Sequence, residues 1–217
     1  MRIDDGVYVL GGGAHGKVVV STLLEAGRNV AGILDDNQLL WGSTVLDIKV
    51  KGPFDILNDQ KHPEAIIAIG ANAVRKTIAA RFQHVSWTTV IHPLAYVHPS
   101  VRLGNGVSIF AGSVVQPDVV IGDHCILNSS CSIDHDCIIN DYCHCGPGCV
   151  LGSSVSLEEG AFLGISASVI PNMNVGSWTM VGAGGVVIRD LPDKSLAIGV
   201  PAKIYSDGSS FDDSKGN

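Results

Sequence analysis

The stretch CILNSSCSIDHDCIINDYCHCGPGCV, Cys125 to Val150, gathers all six cysteines of the chain with two histidines and three aspartates. Such residue types could form a metal centre, a disulfide cluster or an acid–base site. Metal sites usually show paired ligands such as C-x2-4-C. Five of these thiols, at Cys125, Cys131, Cys137, Cys143 and Cys149, instead recur at a constant interval of six, which is the mark of a repeat. His124, His135 and His144, separated by 11 and 9 residues, raise a metal shared between subunits, but the spacing is a poor ligand pattern and no metal is expected. His135 has another chemistry open to it. It is flanked by Asp134 and Asp136, and a carboxylate from either side would orient the ring and raise its basicity, as a general base near neutral pH requires. The competing reading is a solvated polar corner.

A second constellation lies near the start, where Gly11, Gly13 and Gly16 give G-x-G-x-x-G and Asp35 and Asp36 follow about 20 residues later. Glycines let the backbone approach a diphosphate, a helix N-terminus stabilises its charge, and the acid accepts hydrogen bonds from a ribose or base. A nucleotide-sugar diphosphate, NAD(P) and a purely structural glycine turn all fit that pattern. His15 sits inside the loop, within reach of a phosphate or sugar.

Two kinds of segment must position these groups. From Ile91 to Val187 every sixth residue is Leu, Ile or Val except Cys145, which is the hexapeptide repeat of a parallel β-helix. The residue four places on is small or β-branched, and the five regularly spaced cysteines belong to that second inward row. With three hexapeptides per turn, residues 18 apart stack at the spacing of adjacent strands, about 4.8 Å, which puts Cys143 over Cys125 and Cys149 over Cys131. His135 then falls near a corner. His144, half a turn further on, lies on the far side, so the two could meet only across a subunit interface.

Residues 1–88 read differently. VYVL, a glycine loop, KVVVSTLLEAG and NVAGILDDN make a βαβ unit, which AIIAIG and AVRKTIAARF extend to a small Rossmann-like α/β domain of about three strands. The expected division is an α/β domain over 1–88, a β-helix over 89–205 and a disordered tail over 206–217. The net charge of −7 argues against binding to nucleic acid or to an anionic membrane surface. No apolar run is long enough to span a bilayer and MRIDDGVYVL lacks the tracts of a signal peptide, so a cytoplasmic protein with free thiols is expected.

Taken together, GGGAHG, LDD at Leu34–Asp36, AIG followed by Asn72, Arg75 and Lys76, the NSSCSIDHDC stretch, FLGIS and the closing GVPAK resemble a known family over residues 6–204. It is that of the left-handed β-helix acetyltransferases of nucleotide-activated amino sugars, including the bacillosamine and perosamine N-acetyltransferases and, more distantly, the sialic acid O-acetyltransferases. The resemblance implies a left-handed coil, a homotrimer with sites between subunits, and acetyl-CoA as co-substrate. It implies His135 as general base with Asp136 as the acid after it. Gly13, Ala14, His15, Asp35, Asp36 and Gly70 would hold a UDP-linked amino sugar, Asn128 and His144 would line the acetyl site, and Ile165 and Ala183 would meet CoA. The expected reaction is N-acetylation of a UDP-4-amino-4,6-dideoxy sugar, with His144 or a backbone N–H stabilising the oxyanion. O-acetylation of a sialic acid or related sugar, and a non-catalytic nucleotide-sugar-binding trimer, are the alternatives.

Overall fold

A computed structural model describes residues 6–206. The segment expected as a disordered tail lies outside the described residues, apart from Ser206 at the end of the last strand, Lys203–Ser206. The apolar run VYVL forms β1 (Val7–Leu10), all four residues of which are buried, because β1 is central in its sheet and covered on both faces. Helix α1 (Ala14–Glu25) leads to β2 (Val30–Leu34). Beyond it come β3 (Thr44–Val45), β4 (Ile48–Gly52), β5 (Glu64–Ile67), α2 (Asn72–Arg81) and β6 (Ser86–Trp87). The strand order is β3-β4-β2-β1-β5-β6, parallel except for the β3–β4 hairpin.

This sheet is wider than the three strands expected from sequence. The missed hairpin turns on Leu46 and Asp47, with φ of 48° and 64°, where the usual two-residue signal is Asn-Gly or Asp-Gly. Strand β6 has only two residues and no apolar run to announce it.

The β-helix follows as two-residue strands every six residues, from Val90–Ile91 to Val186–Val187, stacked as three parallel sheets. Face 1 contains Ser108–Ile109, Ile126–Leu127, His144–Cys145 and Phe162–Leu163. Face 2 contains Val114–Val115, Ser132–Ile133 and Val150–Leu151, and face 3 contains Val120–Ile121 and Ile138–Ile139. Partners are 18 residues apart throughout, Ser108 beside Ile126 and Ile126 beside His144, so each turn is three hexapeptides. The inward positions from Ile109 to Val187 are buried, Cys145 among them.

The second inward row explains its cysteines. Each thiol donates to the carbonyl 15 residues ahead: Cys125 to Asn140 (3.0 Å), Cys131 to Gly146 (3.2 Å), Cys137 to Gly152 (3.2 Å), Cys143 to Glu158 (3.0 Å) and Cys149 to Gly164 (3.1 Å). Ser113 makes the same bond to Asn128 (2.9 Å). The position takes a small side chain, which bonds that carbonyl where it has a donor and only fills space where it is Val119, Val155, Ala161 or Ala167; all six thiols are free and buried. Among the described residues no group of three or more His, Cys, Asp and Glu is gathered as a metal ion would require.

From Gly106 to Gly184 every sixth residue is a corner residue in the left-handed region, such as Asp118, Asp136 and Ser154 between faces 2 and 3, or His124, Tyr142 and Trp178 between faces 3 and 1. None of these is β-branched, as the sterics of that region demand.

Two substitutions test this account in denaturant melts. Leu151→Ala, which removes a fully buried rung, should lower stability by about 2–5 kcal/mol. Cys143→Ser, which keeps a small donor, should cost less than about 1.5 kcal/mol.

Candidate active site

At the carboxyl ends of β1, β2 and β5, the point where strand order reverses, a cavity of about 680 Å³ opens. Gly13, Ala14, His15, Asp35, Asp36 and Gly70 all line it. Gly11 has φ of 120°, and a Cβ there would lie 2.7 Å from the Ala68 carbonyl oxygen, so β1 can turn this closely against β5 only with glycine. Gly13 differs: a Cβ there would meet nothing within 4 Å, so the loop opens towards the cavity. No side chain caps α1, which leaves its first-turn N–H groups to an anion.

The two acids shape the cavity as much as they face it. Asp35 Oδ2 accepts from Gly12 N–H (2.7 Å) and Oδ1 from Asn37 N–H (2.8 Å), so this carboxylate holds the glycine loop. Asp36 accepts from Phe54 N–H (2.9 Å) and from Arg81 (3.3 Å), which also pairs with Asp55 (2.7 Å). Sequence reasoning missed Phe54, Thr77 and Arg81 on the cavity wall. Their presence there depends on the packing of α2 and the segment after β4, which no local motif encodes.

His135 lies at the corner between faces 2 and 3, just before the left-handed Asp136. Its Nδ1 is 2.7 Å from Asp136 Oδ2, whereas Asp134 accepts from the His135 backbone N–H (2.8 Å). Asp136 is thus the ring partner, although one methylene shorter than glutamate. The hydrogen bond to Asp136 raises the pKa of His135 above the usual 6.5. The side chain is 54% exposed, and Nε2 makes no hydrogen bond among the described residues.

His144 has the opposite setting. It stands on the outer side of face 1 beneath the α/β domain, and the corner bearing His135 is across the coil. Its Nδ1 lies 3.2 Å from the Gly70 carbonyl and its Nε2 3.3 Å from Asn128 Nδ2. A carbonyl can only accept, so Nδ1 carries the hydrogen and Nε2 is the acceptor. His144 thereby spends its one N–H within the chain, which takes it out of the expected role of oxyanion donor. Burial, Arg75 and His15 lower its pKa to about 3. His15 packs 6.2 Å from His144 and 5.5 Å from Phe110, ring centre to ring centre, and burial followed by Arg75 lowers its pKa to about 4. His15 Nε2 is buried with no partner among the described residues, although the residue lines the cavity. His124 fills the corner between Trp87 and Tyr142, and burial lowers its pKa to about 4.

Asn128 heads the line of residues 128, 146, 164 and 182 beside the corner between faces 1 and 2, where its successors are Gly146, Gly164 and Gly182. Ile165, 59% exposed, and Ala183 stack one turn apart on the same edge. This edge forms a narrow track from Asn128 past both, along which a Cβ at Gly146 or Gly164 would lie 2.7 Å from the backbone of the next coil.

The model of the PglD N-terminal domain matches residues 6–82, and that of the bacterial transferase hexapeptide repeats matches 101–135. PerB from Caulobacter crescentus, solved in complex with CoA and GDP-perosamine, is 45% identical, with a TM-score of 0.87 over 93% of this chain and 97% of that one. This chain belongs to the left-handed β-helix sugar N-acetyltransferase family. The family likeness extends to the acetyltransferase domain of PglB from Neisseria gonorrhoeae in complex with acetyl coenzyme A, 31% identical with a TM-score of 0.86 over 91% of this chain and 98% of that domain. Among curated proteins, serine acetyltransferase 2 of Arabidopsis thaliana is 32% identical over 108 residues, 50% of this chain and 31% of that protein, so the chain spans less than a third of that relative's length. Among the described residues no helix is long and apolar enough to cross a membrane.

The buried histidines make the fold acid-sensitive. An unfolded chain protonates them near pH 6.5, whereas the folded chain keeps His15 and His124 neutral to about 4 and His144 to about 3. Their contribution is complete above 6.5 and is lost as the pH falls through those folded values. Thermal melts from pH 7.5 to pH 4 should show a falling midpoint, and His124→Phe, which keeps an aromatic ring in the stack, should flatten that slope.

Proposed function

We propose that this protein transfers the acetyl group of acetyl-CoA to the amine of a nucleotide-linked 4-amino-4,6-dideoxy sugar. The observation that carries the reading is the pairing, in one chain, of a diphosphate-sized cavity behind a glycine loop with an exposed His135–Asp136 dyad on a β-helix. The 45% identity to an enzyme solved with CoA and GDP-perosamine supports it. The sequence resemblance implied UDP as carrier; PerB favours GDP, so the carrier is decided by a panel. The amine nitrogen attacks the thioester carbonyl carbon, His135 Nε2 takes the ammonium proton, and the tetrahedral intermediate expels CoA as a thiolate that His135 can reprotonate. Asp136 keeps Nδ1–H pointed away from the substrate and stabilises the imidazolium.

The reading also makes the site intersubunit. Within a chain, the cavity and the track lie along face 1 and its edges, and His135 is at the opposite corner. A second copy supplies it. Leu94, Tyr96, Val150, Ile165, Ile170 and Ile188 are exposed apolar side chains on or beside face 2, the surface that a closed three-fold ring would cover. Acetyl-CoA runs along the track past Ile165 and Ala183, and the nucleotide occupies the cavity near Gly13, Ala14, Asp35 and Asp36.

The deciding experiment is free-thiol release from acetyl-CoA against GDP-, UDP- and dTDP-linked amino sugars and a sialic acid; activity on the sialic acid alone would replace the amine with a hydroxyl acceptor. His135→Ala should lower kcat by roughly 10²–10⁴-fold with assembly intact. The acidic limb of the kcat profile should fall above pH 6.5 in the native enzyme, since His135 must be neutral to act, and should move lower in Asp136→Asn. Gly13→Trp should block the cavity without backbone strain. Co-assembly of equal amounts of His135→Ala and Gly13→Trp chains, each inactive alone, should restore about a quarter of native activity if each site draws on two subunits. Mixed assemblies without activity would put the whole site in one chain.

A further inference from the structure

The first turn of α2 carries Asn72, Arg75 and Lys76, and the chemistry above uses none of them. Arg75 is 1% exposed. Its Nε donates to the His124 carbonyl (3.0 Å), Nη2 to those of Tyr142 (2.8 Å) and Cys143 (3.3 Å), and Nη1 to those of Gly70 (2.8 Å) and Ile69 (3.2 Å). One planar cation therefore holds two successive coils and the cavity loop after β5. The Gly70 carbonyl that Arg75 holds is the one to which His144 Nδ1–H donates.

Beyond that carbonyl the polarity is determined step by step. With its hydrogen on Nδ1, His144 offers a lone pair at Nε2, and Asn128 must turn an amide N–H towards it. Asn128 Oδ1 meanwhile accepts from Ser129 N–H at 2.9 Å, so flipping the amide would break both bonds. The second N–H of that amide has no acceptor among the described residues, and Asn128 stands at the head of the track.

We infer that Arg75 is a positioning residue for acyl transfer: by fixing the Gly70 carbonyl it sets the His144 tautomer, and His144 in turn orients Asn128 so that its remaining N–H binds the thioester carbonyl oxygen as negative charge develops there. The inference rests on the acetyl-transfer reading and adds the oxyanion donor to it. Arginine suits the task because its fork reaches acceptors on three sides at once, whereas a lysine ammonium at the same depth reaches only one side.

The test uses the full-length chain. Asn128→Ala should lower kcat by roughly 10²–10³-fold, the usual effect of removing one oxyanion donor, with the KM for nucleotide sugar within about twofold. Arg75→Lys should lower kcat by about tenfold or more, and long-range nitrogen–proton NMR should show His144 gaining Nε2–H character. The double variant should be no worse than Asn128→Ala alone, because both changes break one chain of contacts; a merely structural arginine would instead give losses that multiply. Multiplying losses, native kcat in Asn128→Ala, or an Nε2–H tautomer in the native protein would each overturn the inference. The last measurement needs no variant, so it decides even if Arg75→Lys fails to fold. Normal acetyl transfer with Asn128→Ala fully active would sink this relay alone, whereas a native protein that acetylates no sugar in the panel would sink the functional reading as well.

Discussion

Three stacked corner carbonyls, those of His124, Tyr142 and Gly160, face the first turn of α2, and the union of the two halves of this molecule depends on what meets them. Arg75 takes the first two and the Asn72 side-chain amide takes the third at 2.9 Å, while Lys76 pairs with Glu159 at the rim. A β-helix is one of the few folds that can present such a row, because its 18-residue period repeats the same backbone geometry turn after turn. Burying a guanidinium is costly unless its donors are matched. Here the stacked carbonyls match them, and the cation adds to burial, the larger cause, in lowering the pKa of His15, His124 and His144.

That contrast sorts the histidines. His135, on an exposed corner beside an acid, is made more basic; the three at the domain junction are kept neutral. A neutral imidazole has one donor and one acceptor, so it can transmit direction through a hydrogen-bond chain, which an imidazolium with two donors cannot do. Under the proposed mechanism the same residue type thus moves a proton at one corner and fixes a geometry at the other. Neither use requires a metal.

How far the sequence revealed this depended on whether the signal was periodic or tertiary. The rung positions, the 18-residue stacking and the inward cysteines follow from a period of six, and the structure reproduces them from Ile109 to Val187. Of the residues around the cavity, the glycine loop with His15, Asp35 and Asp36 was legible because such a loop between strand and helix faces the carboxyl ends of the strands, whereas Ala14 and Gly70 followed only from the family resemblance. Asp136 as the ring partner followed only from the family resemblance, since choosing between it and Asp134 from the residues needs the left-handed φ of 60° that swings the Asp136 carboxylate back to Nδ1. The tautomer of His144 was not legible, as it depends on a carbonyl 74 residues away. Arg75 and Asn72 appeared only as letters of a family pattern; their partners on the β-helix lie 49 to 89 positions further on, and no local rule reaches so far.

The shape of the β-helix sets a final constraint on the chemistry. A triangular coil is stiff, so a group at the corner between faces 2 and 3 cannot be brought to face 1 by any internal motion short of unfolding. The α/β domain is riveted to face 1 and cannot swing across either. A reaction that joins the cavity to His135 must therefore recruit the corner of another copy, and the exposed apolar side chains beside face 2 give that copy a reason to bind. Under this reading assembly performs the task that a closing lid performs in other enzymes, aligning amine, thioester and base in fixed positions, so the entropic cost of alignment is met once, when the subunits associate, and not at every turnover.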